Sequence, residues 1–400
     1  MNTIETEESL GLTFCVRYPL VIERGNGLTV WTEDGVRFLD FTSGWGVTSL
    51  GHAHPLITRT ITEQAGRLLQ CPNSGFLYSP TRAAALRELN KVLPEHLVSS
   101  YFVNSGAEAN DAVIKLARKI SGRSKIVSTL NSFHGRTLNT LAVSSSPANA
   151  ASFSSLDQAA EFVEFGDLHA MEQVIDNDTA AVIVEPIQGE GGARVPPSNY
   201  LISLSKLCKR RGVFLIVDEI QTGFLRTGSF FAFQHNEASF DFDFLTMGKG
   251  MAGGFPIAAF AVSQRIKDQI EIGDHGGTFC GNPLGCAVVA EVIPYLARNE
   301  FAKSIAAKGQ YMENFLLSLE VEFSDLLVEV RGRGMLWGIQ LKSQPLVDTL
   351  TNSAIDRGLL IVPTRNAVVR LIPPLTVSLE ELVKGLSLFK DSLADLSSAA

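Results

Sequence analysis

The sequence predicts an α/β protein: a parallel sheet wrapped by helices, joined to a smaller α+β unit built from both chain ends. Three observations carry this reading. From about residue 55 to 300, helical periodicity alternates with short apolar runs, as in βαβ architectures. Residues 20 to 42 instead show short alternating runs broken at Gly25-Asn26-Gly27 and Glu33-Asp34-Gly35, which read as antiparallel hairpins. The last hundred residues return to a mixed pattern, and a chain of 400 residues suits two domains better than one simple core. The expected division is a large domain over 51–300, with 1–50 and 301–400 forming a small domain together.

Taken in order, the candidate strands of the large domain are 99–103, 125–128, 180–184, 213–217, 242–246 and 258–262. Each is a short apolar run bounded by polar or turn residues. Residues 107–119 and 199–211 carry helical spacing between them. Beyond 300, residues 326–330 and 334–341 read as strands and 378–393 as an amphipathic helix. Trp45 and Trp337 are core residues by default, and His52 and His54, in Gly51-His-Ala-His-Pro55, read as structural.

Composition narrows the function. Hydrophobic residues make up 45% of the chain, enough for a sizeable core, and 34 Lys plus Arg stand against 42 Asp plus Glu. The net charge of -8, with no basic run or basic-aromatic stripe, argues against nucleic acid as a partner. Five cysteines, widely spread and without a CxxC, argue against a disulfide framework or zinc site, and the seven histidines show no metal spacing. The acidic start and the lack of any apolar stretch of about 18 residues lead us to expect a soluble cytoplasmic protein with no membrane partner.

The chemistry concentrates around Lys249. It lies in Thr246-Met-Gly-Lys-Gly-Met-Ala-Gly-Gly254, about thirty residues after Asp218, which ends the apolar run Val213-Phe-Leu-Ile-Val. A lysine amine can hold an aldehyde cofactor as a Schiff base, and a buried carboxylate can keep a pyridine nitrogen protonated. The pair suggests pyridoxal 5'-phosphate. Upstream, Asn104-Ser-Gly-Ala-Glu-Ala-Asn110 opens a helix whose N–H groups suit a phosphate. The same segment is also a capping box, Ser105 with Glu108, which by itself reads as an ordinary capped helix. Gly248-Lys-Gly-Met-Ala-Gly253 matches the dinucleotide pattern GxGxxG, but Gly254-Phe-Pro256 interrupts the helix that should follow, and no GxxxxGK[ST] exists. Arg370, in the apolar run Val368-Val-Arg-Leu-Ile372, and Arg136, beside Phe133 in Phe133-His-Gly-Arg136, are candidates for carboxylate recognition.

Together these segments resemble the class III, fold-type I, pyridoxal-phosphate aminotransferases, and within them the acetylornithine aminotransferases. The resemblance spans roughly residues 18 to 385. It is carried also by Leu50-Gly-His-Ala-His-Pro55, Val184-Glu-Pro-Ile-Gln-Gly-Glu-Gly-Gly192, Val217-Asp-Glu-Ile-Gln-Thr-Gly223 and Gly277-Thr-Phe-Cys-Gly-Asn-Pro283.

The resemblance implies a mostly parallel seven-stranded sheet in the large domain, and roles for single residues. Lys249 would bind the cofactor aldehyde, Asp218 would pair with the ring nitrogen, Gln221 would bond the ring oxygen and Phe133 would stack on the ring. Ser105, Gly106 and Ala107 would hold the phosphate. Thr278 would reach the phosphate of a neighbouring subunit, implying a homodimer with shared sites. Arg370 would take the α-carboxylate of an amino acid and Arg136 the distal one, with Glu190 covering Arg370 when an ω-amine donor is bound. The implied reaction moves an ω-amino group from N-acetylornithine or a related diamino acid to 2-oxoglutarate. Gly277 stands where a serine is common, and Gly44-Trp-Gly-Val-Thr-Ser49 replaces the usual stretch, so the donor stays open. Other class III activities (an amine, 4-aminobutyrate, succinylornithine or secondary-metabolite transaminase, or an aminomutase) fit the same residues, and a non-catalytic cofactor-binding protein is the remaining alternative.

Overall fold

The computed structural model describes residues 1–72, 74–145, 160–236 and 238–399. After a short helix (Thr3–Leu10) come three hairpin strands: β1 (Ile22–Asn26), β2 (Thr29–Thr32) and β3 (Arg37–Asp40), each antiparallel to the next. Behind them His52 Nε2 binds Asp40 Oδ2 at 2.7 Å, and His54 Nδ1 accepts the Leu56 N–H as a helix cap. Both histidines therefore serve the fold.

The central sheet follows, from β4 (Leu97–Val103), β5 (Lys125–Thr129), β6 (Ala160–Val163), β7 (Thr179–Val184), β8 (Phe214–Asp218), β9 (Phe244–Met247) and β10 (Ala258–Ser263). Its order is β4-β10-β9-β8-β7-β5-β6, and every pairing is parallel except those of β10 with β4 and β9. The mostly parallel seven-stranded sheet is thus present. All residues of β7 and β8 are buried, because helices cover both faces, and apart from Thr179 at the start of β7 and Asp218 at the end of β8 their residues are apolar rather than alternating. β6 is different. It is a four-residue edge strand, Ala-Glu-Phe-Val, mostly half-buried, and it offered no apolar run to read.

The helix Gly106–Ser121 covers one face. Ala109, Ala112, Val113, Leu116 and Ala117 turn inward at helical spacing, Glu108 sits in the first turn, Arg118 and Lys119 in the last, and Gly122 ends it in the left-handed conformation at φ 67°. Burial of each larger aliphatic side chain here contributes about 2 kcal/mol.

Past residue 300, β11 (Leu327–Arg333), β12 (Leu336–Leu341), β13 (Leu359–Leu360), β14 (Val362–Thr364) and β15 (Val368–Leu371) complete the strands among the described residues. β13 pairs in parallel with β3, so the two chain ends share a sheet, while the others form a second one in the order β11-β12-β15-β14. This last sheet is locked to the loop after β7. A Cβ on Gly338 of β12 would lie 2.4 Å from the Gly192 carbonyl oxygen, and Arg331 Nε donates to that same oxygen at 2.8 Å. Only glycine permits so close an approach, and it brings β15 beside residues 189–192.

Candidate active site

A cavity of about 290 Å³ opens at the carboxyl ends of the parallel strands, where ligands bind in open α/β sheets. Gly106, Ala107, Phe133, Arg136, Glu190, Asp218, Gln221 and Lys249 line it, together with His134 and Glu185.

Asp218 ends β8, opposite Thr246 of β9, and Lys249 follows three residues after that partner. The Asp218 carboxylate is oriented by three donors. Oδ2 accepts from Asn110 Nδ2 and His134 Nδ1, each at 2.7 Å, and Oδ1 from the Ile220 N–H at 3.0 Å. The buried His134 Nε2 has no hydrogen-bond partner among the described residues. Lys249 has a φ of 38°, a left-handed conformation that is costly for a residue with a side chain and is met mainly where function demands it. Burial pushes its amine down to about 8, helped by Arg370 and opposed by Glu190, Glu185 and Asp218.

At the cavity's second end lies a cation. Arg370, on β15, is fully buried; its Nη2 donates to Glu190 Oε1 at 2.6 Å and its Nη1 to Gln221 Oε1 at 3.1 Å. Burial works to raise the Glu190 carboxyl, yet Arg370, then Lys249, outweigh it and hold the group below its ordinary value. Gln221 is gripped on both sides, since its Nε2 donates to the Trp45 carbonyl at 3.0 Å. Arg136 is exposed, with its guanidinium 5.9 Å from the Phe133 ring centroid, within cation–π reach.

At the third side the capping box of the helix Gly106–Ser121 is formed: Ser105 Oγ accepts the Glu108 N–H, and Glu108 accepts the N–H groups of Ser105 and Asn104. Neither bond of the box uses the N–H of Gly106 or Ala107, and these two residues line the cavity. The capped helix and an anion seat therefore coexist. A larger cavity of about 530 Å³ elsewhere holds Lys308, but that amine is tied to the Leu375 and Val377 carbonyls and faces no comparable set of acids.

The family model for aminotransferase class-III matches residues 15–393. The chain belongs to that family. This aminotransferase is 38% identical to the acetylornithine aminotransferase of Methanopyrus kandleri over 94% of its length and 95% of the relative's. It is 36% identical to the [LysW]-aminoadipate semialdehyde transaminase of Deinococcus radiodurans, over 95% and 87% respectively. Among solved structures, the ornithine aminotransferase of Toxoplasma gondii, described with partial occupancy of PLP at its active site, superposes with a TM-score of 0.92 at 30% identity over 99% and 94% of the two chains. The class transfers amino groups between small amino and keto compounds and depends on pyridoxal phosphate. Among the described residues of this aminotransferase, no helix is long and apolar enough to cross a membrane, and no cluster of three or more His, Cys, Asp or Glu could hold a metal.

The fold gathers Gly106, Ala107, Phe133, Arg136, Glu190, Asp218, Gln221 and Lys249 at one cavity, with Arg370 bonded to two of them. Ser105 stands at its edge as the helix cap. Thr278 does not line it; the residue is exposed, and Gln70 Nε2 donates to its carbonyl. Trp337 is buried as expected, but Trp45 is 61% exposed. It sits in a left-handed turn running from Ser43 to Gly46. Sequence reasoning assigned nothing to Asn110, His134 or Glu185. Glu185 had a legible signal, because it follows the all-buried β7 as Asp218 ends β8.

Proposed function

We propose that this aminotransferase moves an ω-amino group from N-acetylornithine, or a related diamino acid, to 2-oxoglutarate, leaving a semialdehyde and forming glutamate. The observation that carries the reading is the Glu190–Arg370 pair, 2.6 Å apart at the cavity that holds Lys249 and Asp218. A dicarboxylate acceptor needs two cations, and Arg370 and Arg136 supply them. An ω-amine donor brings no carboxylate to Arg370. A buried guanidinium left bare would be costly, and Glu190 neutralises it in place of substrate.

The residues fit pyridoxal phosphate. Gly106 and Ala107 offer helix N-terminal N–H groups to the phosphate with Ser105 at their edge, Phe133 offers a ring face, Asp218 a fixed acceptor for a protonated pyridine, Gln221 an amide for the ring oxygen, and Lys249 an amine for the aldehyde. Bound there, the cofactor supplies the carbonyl that carries nitrogen between substrates and a ring that withdraws electrons from the reacting carbon. Lys249 Nζ, low in proton affinity, takes the proton from the donor's amine-bearing carbon. Thr278, exposed on its own chain, would complete the phosphate contacts of a second copy, so the working form is a homodimer.

Free ornithine is the second donor, favoured by the likeness to the Toxoplasma gondii ornithine aminotransferase. Offering amines singly to the purified holoenzyme and following the cofactor's visible band reports the donor half-reaction. N-acetylornithine should bleach it, and 2-oxoglutarate should restore it with glutamate formed. If no ω-amine yields glutamate, this reading fails.

A further inference from the structure

Glu185 lines the cavity, yet the reaction as derived gives it no task. It is buried, and its two oxygens are divided between two segments. Oε1 accepts the N–H of Phe133 at 3.0 Å, and Oε2 accepts the N–H of Gly189 at 2.9 Å. Phe133 is the aromatic wall of the cavity, and Gly189 immediately precedes Glu190. One carboxylate thus bridges the wall to the turn that presents the cover of Arg370.

We infer that Glu185 is a positioning residue that fixes the Gly189–Glu190 turn in register with the Phe133 wall, and so sets how well the site discriminates an ω-amine donor from a dicarboxylate acceptor. The inference rests on the function proposed above for Glu190 and Arg370. Its physical basis is acceptor count. A carboxylate can accept on both oxygens, whereas an amide accepts on one and turns N–H groups toward the other donor, so no neutral isostere can hold both segments. The turn has little freedom to compensate. A Cβ at Gly189 would lie 1.5 Å from Gln221 Oε1, so Gly189 is pressed against the amide that also contacts Arg370. A shift of this turn therefore disturbs Glu190 and Gln221 together. In the acceptor half-reaction the substrate's own carboxylate occupies Arg370, and the exact seat of Glu190 matters less.

The surroundings make this carboxylate sensitive to pH. Burial pushes it up to about 7, with His134 drawing it down and Asp218 raising it. Lys249 is the other charged group that feels it.

Glu185→Gln tests the inference in two ways. In the holoenzyme, the donor half-reaction should lose about tenfold more in kcat/KM than the acceptor half-reaction, and adding Glu190→Gln should produce little further loss, because the first change acts through the second. Equal losses in the two half-reactions, or fully additive ones, would overturn it. Hydrogen exchange on the cofactor-free chain reads the same bridge without any turnover. Peptides holding Phe133 and Gly189 should lose protection together in the variant, and in the unaltered chain as pH falls through about 7. Loss at one segment alone, or at neither, refutes the bridge. If the exchange result holds while no ω-amine reacts in the unaltered enzyme, the bridge stands and the proposed substrate assignment is what has failed.

Discussion

Lys249 carries the most demanding requirement of any side chain, because only its neutral amine can add to a carbonyl, and its pocket lowers the amine to about 8. Capture of pyridoxal phosphate by the cofactor-free chain should rise about tenfold per pH unit below that value and level off above it. Glu190 raises the Lys249 value, so Glu190→Gln should move the plateau to lower pH; an unmoved plateau, read from the visible band, would separate the two groups. From about 8 up to the ordinary lysine value of 10.5, the unfolded chain binds the extra proton, so this residue's contribution to stability increases with pH across that window. Lys249→Ala should keep the fold and abolish turnover. Arg370 sets the second expectation. Replacing it by alanine removes a charge-assisted contact worth about 2 kcal/mol to a carboxylate, so kcat/KM for 2-oxoglutarate should fall roughly 30-fold. The ω-amine donor should suffer less; equal losses in steady-state kinetics on the two substrates would mean that Arg370 does not distinguish acceptor from donor.

At the scale of elements, the turn from β4 into the helix Gly106–Ser121 is both a fold signal and a binding surface. Ser105→Ala deletes the acceptor for the Glu108 N–H and should destabilise the protein by about 1 kcal/mol in urea unfolding. If the helix start also seats the phosphate, the variant should release cofactor faster; a stability loss with unchanged release would assign Ser105 to the cap alone. This segment was legible because capping chemistry leaves a residue pattern. So were β7 and β8, whose double-sided burial demands unbroken apolar runs. Beyond pattern lay β6, where an edge strand needs little burial, and Trp45, which sits in a turn of positive φ values that one sequence does not display. The contacts of Asn110 and His134 with Asp218 were hidden for another reason: they join residues 108 and 84 positions apart, a proximity created by the parallel sheet. Lys249 and Asp218 could be paired earlier because the chemistry of an amine and a buried acid is recognisable before their distance is known.

The whole molecule raises the question of what Thr278 is for. It is exposed beside Phe279, itself 61% exposed, while Phe14 and Phe76 are 88% and 92% exposed in the single chain. Apolar surface of this kind fits a partner copy, and in the homodimer proposed above Thr278 of each chain would lie at the other's cavity. The arrangement predicts complementation between defective chains. A Lys249→Ala homodimer has no amine at either site. A Thr278→Ala homodimer should turn over but hold its cofactor about tenfold more weakly, for want of one hydrogen bond to a charged group. In a mixed dimer, the cavity of the Thr278→Ala chain keeps its own Lys249 and receives an intact Thr278 from the Lys249→Ala chain, so one site is whole. Random reassociation of equal amounts should make about a quarter of all sites whole. Assayed at cofactor levels that saturate only intact sites, the mixture should gain activity over either parent. No gain, after exchange of chains has been verified by mass, would mean that Thr278 serves its own chain or none.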